Sequence, residues 1–323
     1  MPPWMRSTEQ AYTIFFVADL HGSEKCFRKF INAGKFYGAD ALLLGGDVTG
    51  KALVPLVRRR DGTYEAMFLG RVETARDETE LANVEGQIRY NGFYPFLTDA
   101  TQLAELDRDP ARRAAHFQEV ISREVRRWVA LADERLEGSG IQCLVIPGND
   151  DDDFVADLLA EGRYLVNPED RVVELGPFQV LSYGYSNVTP WKTPRELPED
   201  KLAERIERLV GMLEPGRPTI YNLHVPPFGT GIDDAPQIRE DLSLVGGSSA
   251  SMVPVGSTAV RGLIERHTPM LGLHGHIHES RGTARIGPTV CVNPGSEYNA
   301  GILRGAIVRV RGHQVEDVQF VAA

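Results

Sequence analysis

The chain has 323 residues, 42% of them hydrophobic and 25% charged, and its 35 basic against 45 acidic side chains leave a formal charge of −10. That length can bury a large core, as one large domain or two ordinary ones, and the composition is that of a soluble globular protein. The acidic balance gives no reason to expect an extended nucleic-acid or anionic-membrane surface, and no stretch approaches the roughly 18 apolar residues of a membrane span. Met1 to Gln10 carries Arg6 but no long apolar h-region. Cys26, Cys143 and Cys291 are odd in number and far apart, so reduced thiols in a cytoplasmic protein are expected.

In chain order, Tyr12 to Ala18 predicts a buried strand, residues 24–37 a helix with apolar Phe27, Phe30, Ile31 and Phe36, and Ala41 to Leu44 a second strand. These form a βαβ unit whose strands deliver polar residues at their carboxyl ends, the edge where open α/β sheets bind ligands. Ile141 to Ile146, Thr219 to Leu223 and Met270 to Leu273 repeat the pattern. About a hundred residues separate Asp47 from Asn149, far more than one crossover needs. Residues 111–137 supply the crossover helix, with Phe117, Val120, Ile121, Val125, Trp128, Ala132 and Leu136 on one face and Gly138-Ser139-Gly140 as its stop.

Residues 51–110 are then an insertion in a single domain spanning 1–323. A hairpin is expected around Arg60-Asp61-Gly62 and a short helix between Asp77 and Tyr90, forming either a lid over the substrate site or a peripheral flap. Phe178 to Tyr183 predicts another strand, Glu199 to Leu213 a polar helix, and 229–258, rich in Gly, Ser and Asp, a mobile loop. Leu303 to Val310 and Val315 to Val321 predict a closing antiparallel pair.

Polar groups follow these strands in order: Asp19-Leu20-His21, Gly46-Asp47, Gly148-Asn149-Asp150-Asp151, His224 and Gly275-His276-Ile277-His278. Asp19 and His21, at i and i+2, can point the same way, and Gly45-Gly46 allows Asp47 to approach two ions. Asn149 adds an amide oxygen, and His224, His276 and His278 complete an oxygen and nitrogen shell without thiolates. Such a set suits two metal cations, divalent Mn²⁺, Fe²⁺ or Zn²⁺ or else Fe³⁺, better than Mg²⁺ or Ca²⁺. Singly, each motif has an ordinary reading as a turn or helix cap; their order behind successive strands points to one metal site. His116, His267 and His313 are read as non-ligands, and His274 as a packing or supporting residue.

The ordered set Asp19-x-His21, Gly46-Asp47, Gly148-Asn149, His224 and Gly275-His276-x-His278 resembles the calcineurin-like metallophosphoesterases, from about residue 12 to 320 apart from the insertion. Tyr185-Ser-Asn187-Val-Thr-Pro190 and Asn293-Pro-Gly-Ser-Glu297 are similar to a small prokaryotic branch of that family. The resemblance implies an α/β fold, a four-layer α-β-β-α sandwich of two mixed sheets with an inserted lid segment. It also implies that Asp19, His21, Asp47 and His278 hold one metal and Asp47, Asn149, His224 and His276 the other, with a bridging hydroxide for in-line hydrolysis of a phosphoester.

Where the family commonly has a histidine after Gly-Asn, this chain has Asp150. An ionised Asp150 repels a dianionic monoester more than a monoanionic diester, so a phosphodiesterase acting on a small phosphoester is expected, with Asp150 as general acid or as a structural cap. A phosphomonoesterase or nucleotide pyrophosphatase is the alternative, and a non-catalytic binding module on the same fold a third.

Overall fold

The computed structural model describes residues 10–239, 245 and 251–323. One six-stranded sheet runs, in spatial order, Gln314–Ala322, Arg304–Arg311, Tyr12–Val17, Ala41–Gly45, Gln142–Ile146 and Leu165–Val166. Its last four strands are parallel, and the first two close the edge antiparallel. A second runs Gly282–Ile286, Thr289–Asn293, Leu271–Leu273, Thr219–Leu223, Phe178–Tyr183 and Arg171–Leu175, with a parallel centre and an antiparallel strand at each side. Both sheets are therefore mixed.

Side-chain alternation assembles the layers. Tyr12, Ile14 and Phe16 point into a seam with Phe178, Val180, Ile220 and Leu271, and the rings of Tyr12 and Phe178 meet edge-on at 5.5 Å across the two sheets. Phe15 and Val17, on the opposite face, pack under helices Glu24–Tyr37 and Pro110–Leu136, where Phe27 stacks on Trp128 at 4.4 Å. Leu181, Tyr221 and Leu223 pack under helices Glu199–Val210 and Thr258–His267 on the far side. The result is helix, sheet, sheet, helix, held by strands buried on both faces.

Between Ala41–Gly45 and the long helix, strands Arg71–Ala75, Tyr64–Phe68, Leu53–Arg58 and Tyr94–Asp99 form a separate four-stranded sheet. Helix Glu78–Tyr90 covers one face through Val84 and Ile88, packed on Val54, Leu56, Ala66 and Phe68. Tyr94 and Phe96 join the main core beside Val120 and Trp128. The Tyr94 hydroxyl accepts a hydrogen bond from Gly50 N at 2.8 Å, which ties this sheet to the turn after Asp47.

The expected loop 229–258 is more structured than its composition suggests. Asp233 is buried and its carboxylate accepts from the backbone N–H groups of Gly229, Thr230, Gly231 and Gly256. Asp234–Pro236 then pairs antiparallel with Met252–Pro254. Residues 240–244 and 246–250 of that stretch lie outside the described residues. No helix among the described residues is long and apolar enough to cross a membrane.

Candidate metal centre

Strands Tyr12–Val17, Ala41–Gly45, Gln142–Ile146, Thr219–Leu223 and Leu271–Leu273 end at one edge, and each hands its last polar residues to a tight loop. Asp19, His21, Asp47 and His276 have positive φ, at 58°, 42°, 51° and 69°. A non-glycine residue in that region costs on the order of 1–3 kcal/mol and persists where its surroundings hold it. Here cross-loop hydrogen bonds do so: Asp19 N donates to Gly46 O, His21 N to Asp47 O, and Gly275 N to His224 O. The Asp19 carboxylate accepts from His276 N at 3.0 Å and Asp47 Oδ1 from Asp150 N at 2.9 Å.

Two glycines let the loops close this tightly. A Cβ on Gly46 would stand 2.3 Å from His224 Nδ1, and one on Gly148 would stand 2.1 Å from Asp47 Oδ1. Neither position admits a side chain without displacing a member of the centre.

The geometry yields two groups, Asp19 with His21 and His278, and Asp47 with His224 and His276, the donor atoms within each lying no more than 4.8 Å apart. Asp47 Oδ2 faces both, at 3.6 Å from His21 Nε2 and 3.4 Å from His224 Nε2. His21 Nε2 and His278 Nε2 approach to 3.1 Å, and His278 Nε2 lies 3.7 Å from Asp19 Oδ1. Asn149 Oδ1 sits 2.9 Å from His224 Nε2 and 2.7 Å from His276 Nδ1.

This donor set fits a pair of divalent cations. Oxygen and imidazole atoms converge in two groups that meet at one carboxylate, and the His224 tautomer is fixed by its neighbour. His224 Nδ1 is 2.7 Å from Gly45 O, which can only accept, so the N–H is there and Nε2 turns to the centre.

Electrostatics inside the centre are those of charges held close together. Burial pushes the Asp19 carboxyl up to about 6 against the attraction of His224. Burial acts the same way on Asp47, but His224, His21 and the Asp150 N–H prevail and hold it far below the carboxylate range. Burial opposes the His224 cation, yet Asp47 and Asp19 raise it to about 9, while burial and His224 take His276 down to about 3. In the metal-free chain His224 carries the countercharge to the buried carboxylates.

Every residue expected at the site is brought to it. Asp150 is no helix cap: helix Phe154–Leu159 starts after Asp153, and the Asp150 carboxylate lies 2.5 Å from Lys51 Nζ and 3.7 Å from His21 Nδ1. His274 is fully buried with Nδ1 directed at the carbonyls of Leu223 and Val225, a packing role. His116 packs edge-on to Phe96, and His267 reaches Glu207.

Several supporting residues escape the sequence reading. Asp151, fully buried, accepts from the N–H groups of Val48, Thr49 and Gly148, and so joins the loops of Asp47 and Asn149. Its place in the Gly148-Asn149-Asp150-Asp151 run is the one available signal. Arg195, 2% exposed, pairs with Glu169, donates to Gly148 O at 3.1 Å and lies 4.2 Å over the Tyr185 ring. Tyr298 lines the other wall, 4.6 Å from the His21 ring. Nothing local marks these two.

No family model matches the chain. An uncharacterized protein of Methanocaldococcus jannaschii is 30% identical over 157 residues, 48% of this chain, and the match spans 64% of that protein's length. Two solved structures are similar over nearly the whole chain. TT1561 of Thermus thermophilus has a TM-score of 0.54 at 15% identity, covering 97% of this chain and 99% of its own. Another crystal structure has a TM-score of 0.56 at 16% identity, covering 96% and 99%. A novel archaeal phosphodiesterase aligns at a TM-score of 0.24 and 13% identity over 60% of this chain and 91% of its own, too slight to bear on fold or activity. The fold is an α/β sandwich of two mixed sheets between helical layers, shared with these two structures over nearly the whole chain.

Proposed function

We propose that the chain is a metal-dependent phosphoester hydrolase with a dinuclear centre, acting on a small phosphodiester. The observation that carries this reading is the meeting of two carboxylate and imidazole groups at one carboxylate, Asp47. Asp19, His21, Asp47 and His278 would hold one cation, and Asp47, Asn149, His224 and His276 the other. Bound there, divalent cations supply Lewis-acid charge to the phosphoryl oxygens and bring the pKa of water towards neutrality.

The chain's own residues contribute orientation and proton handling. Gly45 O keeps His224 Nε2 facing inward, Asp151 locks the two central loops, and Tyr298 covers the His21 side against solvent. The Asp150 carboxylate stands at the mouth of the centre paired with Lys51, whose ammonium is the proton-bearing member of the pair that a departing oxygen would meet. Lys51 beside it favours a second reading, a phosphomonoesterase or nucleotide pyrophosphatase, because the pair is neutral and repels a dianion less than Asp150 alone.

Matched bis-aryl and mono-aryl phosphates, supplied with Mn²⁺ and run beside Asp47→Ala, separate the readings. A diesterase turns over the bis-aryl ester faster and Asp47→Ala abolishes it; faster mono-aryl turnover selects the second reading, and turnover that survives Asp47→Ala sinks both.

A further inference from the structure

A side-chain amide has nearly the same outline whichever way it is turned, yet only its oxygen can ligate a cation. In this chain the Asn149 oxygen faces His224 and His276; a protonated His224 can donate to it, but imidazole nitrogens that ligate a cation carry no proton for it and leave its orientation to other contacts. The cause lies on the segment 187–197, which the metal reading does not use.

Asn149 Nδ2 donates to Thr193 Oγ1 at 2.8 Å. Thr193 Oγ1 in turn donates to Glu196 Oε1 at 2.7 Å. The Glu196 carboxylate also accepts from Thr189 N at 3.0 Å, Thr189 Oγ1 at 2.5 Å and Thr193 N at 2.9 Å, so it is surrounded by donors. A hydroxyl has one proton to give. Thr193 gives it to a carboxylate that can only accept, so it meets Asn149 with a lone pair, and the amide must answer with its N–H. The oxygen is thereby turned to the centre. The same segment grips the backbone, because Arg195 N donates to Asn149 O at 3.1 Å.

We propose that Thr193 and Glu196 are positioning residues that set the polarity of the Asn149 amide and so create the oxygen ligand for the second cation. This rests on the dinuclear reading above. If Thr193 lost its acceptor, or Glu196 became able to donate, the amide could turn over and present N–H to the cation, which repels it.

The test is Mn²⁺ binding to the metal-stripped full chain by titration calorimetry, with melting temperature recorded for every variant. Thr193→Val keeps the branched shape and removes the hydroxyl; Thr193→Ser keeps the hydroxyl; Glu196→Gln keeps the shape and adds a donor. The expected result is that wild type and Thr193→Ser bind two equivalents. Thr193→Val and Glu196→Gln would keep the first and bind the second roughly 10–100-fold more weakly. Loss limited to one of two equivalents, restored by serine, is not what general unfolding produces. Two full-affinity equivalents in Thr193→Val would overturn the inference and leave the dinuclear reading intact, as would equal weakening of both. A wild-type chain that binds fewer than two equivalents would overturn the dinuclear reading itself.

Discussion

Asp150 N donates to the Asp47 carboxylate at 2.9 Å, and the two carboxylates have different basic partners. Asp47 is surrounded by imidazoles, and Asp150 is matched to Lys51. Asp47→Ala is expected to weaken both cation sites by roughly a hundredfold or more, since it removes a ligand and not only a supporting contact. Dialysis against Mn²⁺ followed by metal analysis measures this. Lys51→Met leaves Asp150 unmatched, so KM should rise about tenfold for a dianionic mono-aryl phosphate and less for a monoanionic diester. In the Lys51→Met, Asp150→Asn double variant that difference should vanish; equal KM changes for the two esters in the single variant would refute the charge argument. At this scale the candidate ligands were legible because they fall in short motifs at the ends of strands. Asp151 reaches Val48 and Thr49, Thr193 reaches Asn149 and Arg195 reaches Gly148, contacts between segments distant in the chain that no local spacing encodes.

Glu169 and Arg195 show the same effect for an element. The long stretch from Leu165 to Leu197 is held beneath the Gly148-Asn149 loop by this buried pair and by Gly184 N, which donates to Glu169 at 2.9 Å. Burial carries the Glu169 carboxyl up to about 7, against the attraction of Arg195. A carboxyl raised above its ordinary 4.5 makes folding take up a proton, so its contribution is complete below pH 4.5 and is lost as pH rises to about 7. The melting temperature of the wild type relative to Glu169→Gln should therefore fall across that window; a constant difference would show that the carboxyl is not shifted.

The buried strands and helices carry a second expectation. Cys26, Cys143 and Cys291 are free and buried, and burial pushes their thiols up, Cys291 to about 12. At pH 8 a disulfide reagent should react with none of them until the chain is unfolded in guanidinium, when all three react. The strands and crossover helix were legible from apolar runs and periodicity. The order of the region after residue 229 was not, because one buried aspartate, Asp233, gathers backbone N–H groups that composition alone leaves unaccounted for.

Over the whole molecule, an acidic chain of formal charge −10 gathers its candidate metal ligands at one edge, and on the proposed function an anionic substrate would be drawn by cations held there. Apolar runs predict that strands are buried, but they do not say which face of one sheet meets which face of the other; the layered arrangement was available only through the family resemblance. In the structure Tyr12 and Phe178 join the sheets, and the helical layers lie outside them. The insertion shares the main core through Tyr94 and Phe96, and Tyr94 bonds the turn that carries Lys51. Tyr94→Phe should cost about 1–3 kcal/mol by leaving Gly50 N without its partner, and should raise KM along with it. Destabilisation with KM unchanged would mean that the insertion supports the fold without shaping the site.

The most direct measurement is anomalous diffraction from crystals of the chain soaked in Mn²⁺. Two peaks about 3.5–4 Å apart are expected, one on each side of the Asp47 carboxylate. A single peak beside His21 and His278 would remove the dinuclear chemistry, and peaks remote from Asp47 would contradict the account altogether.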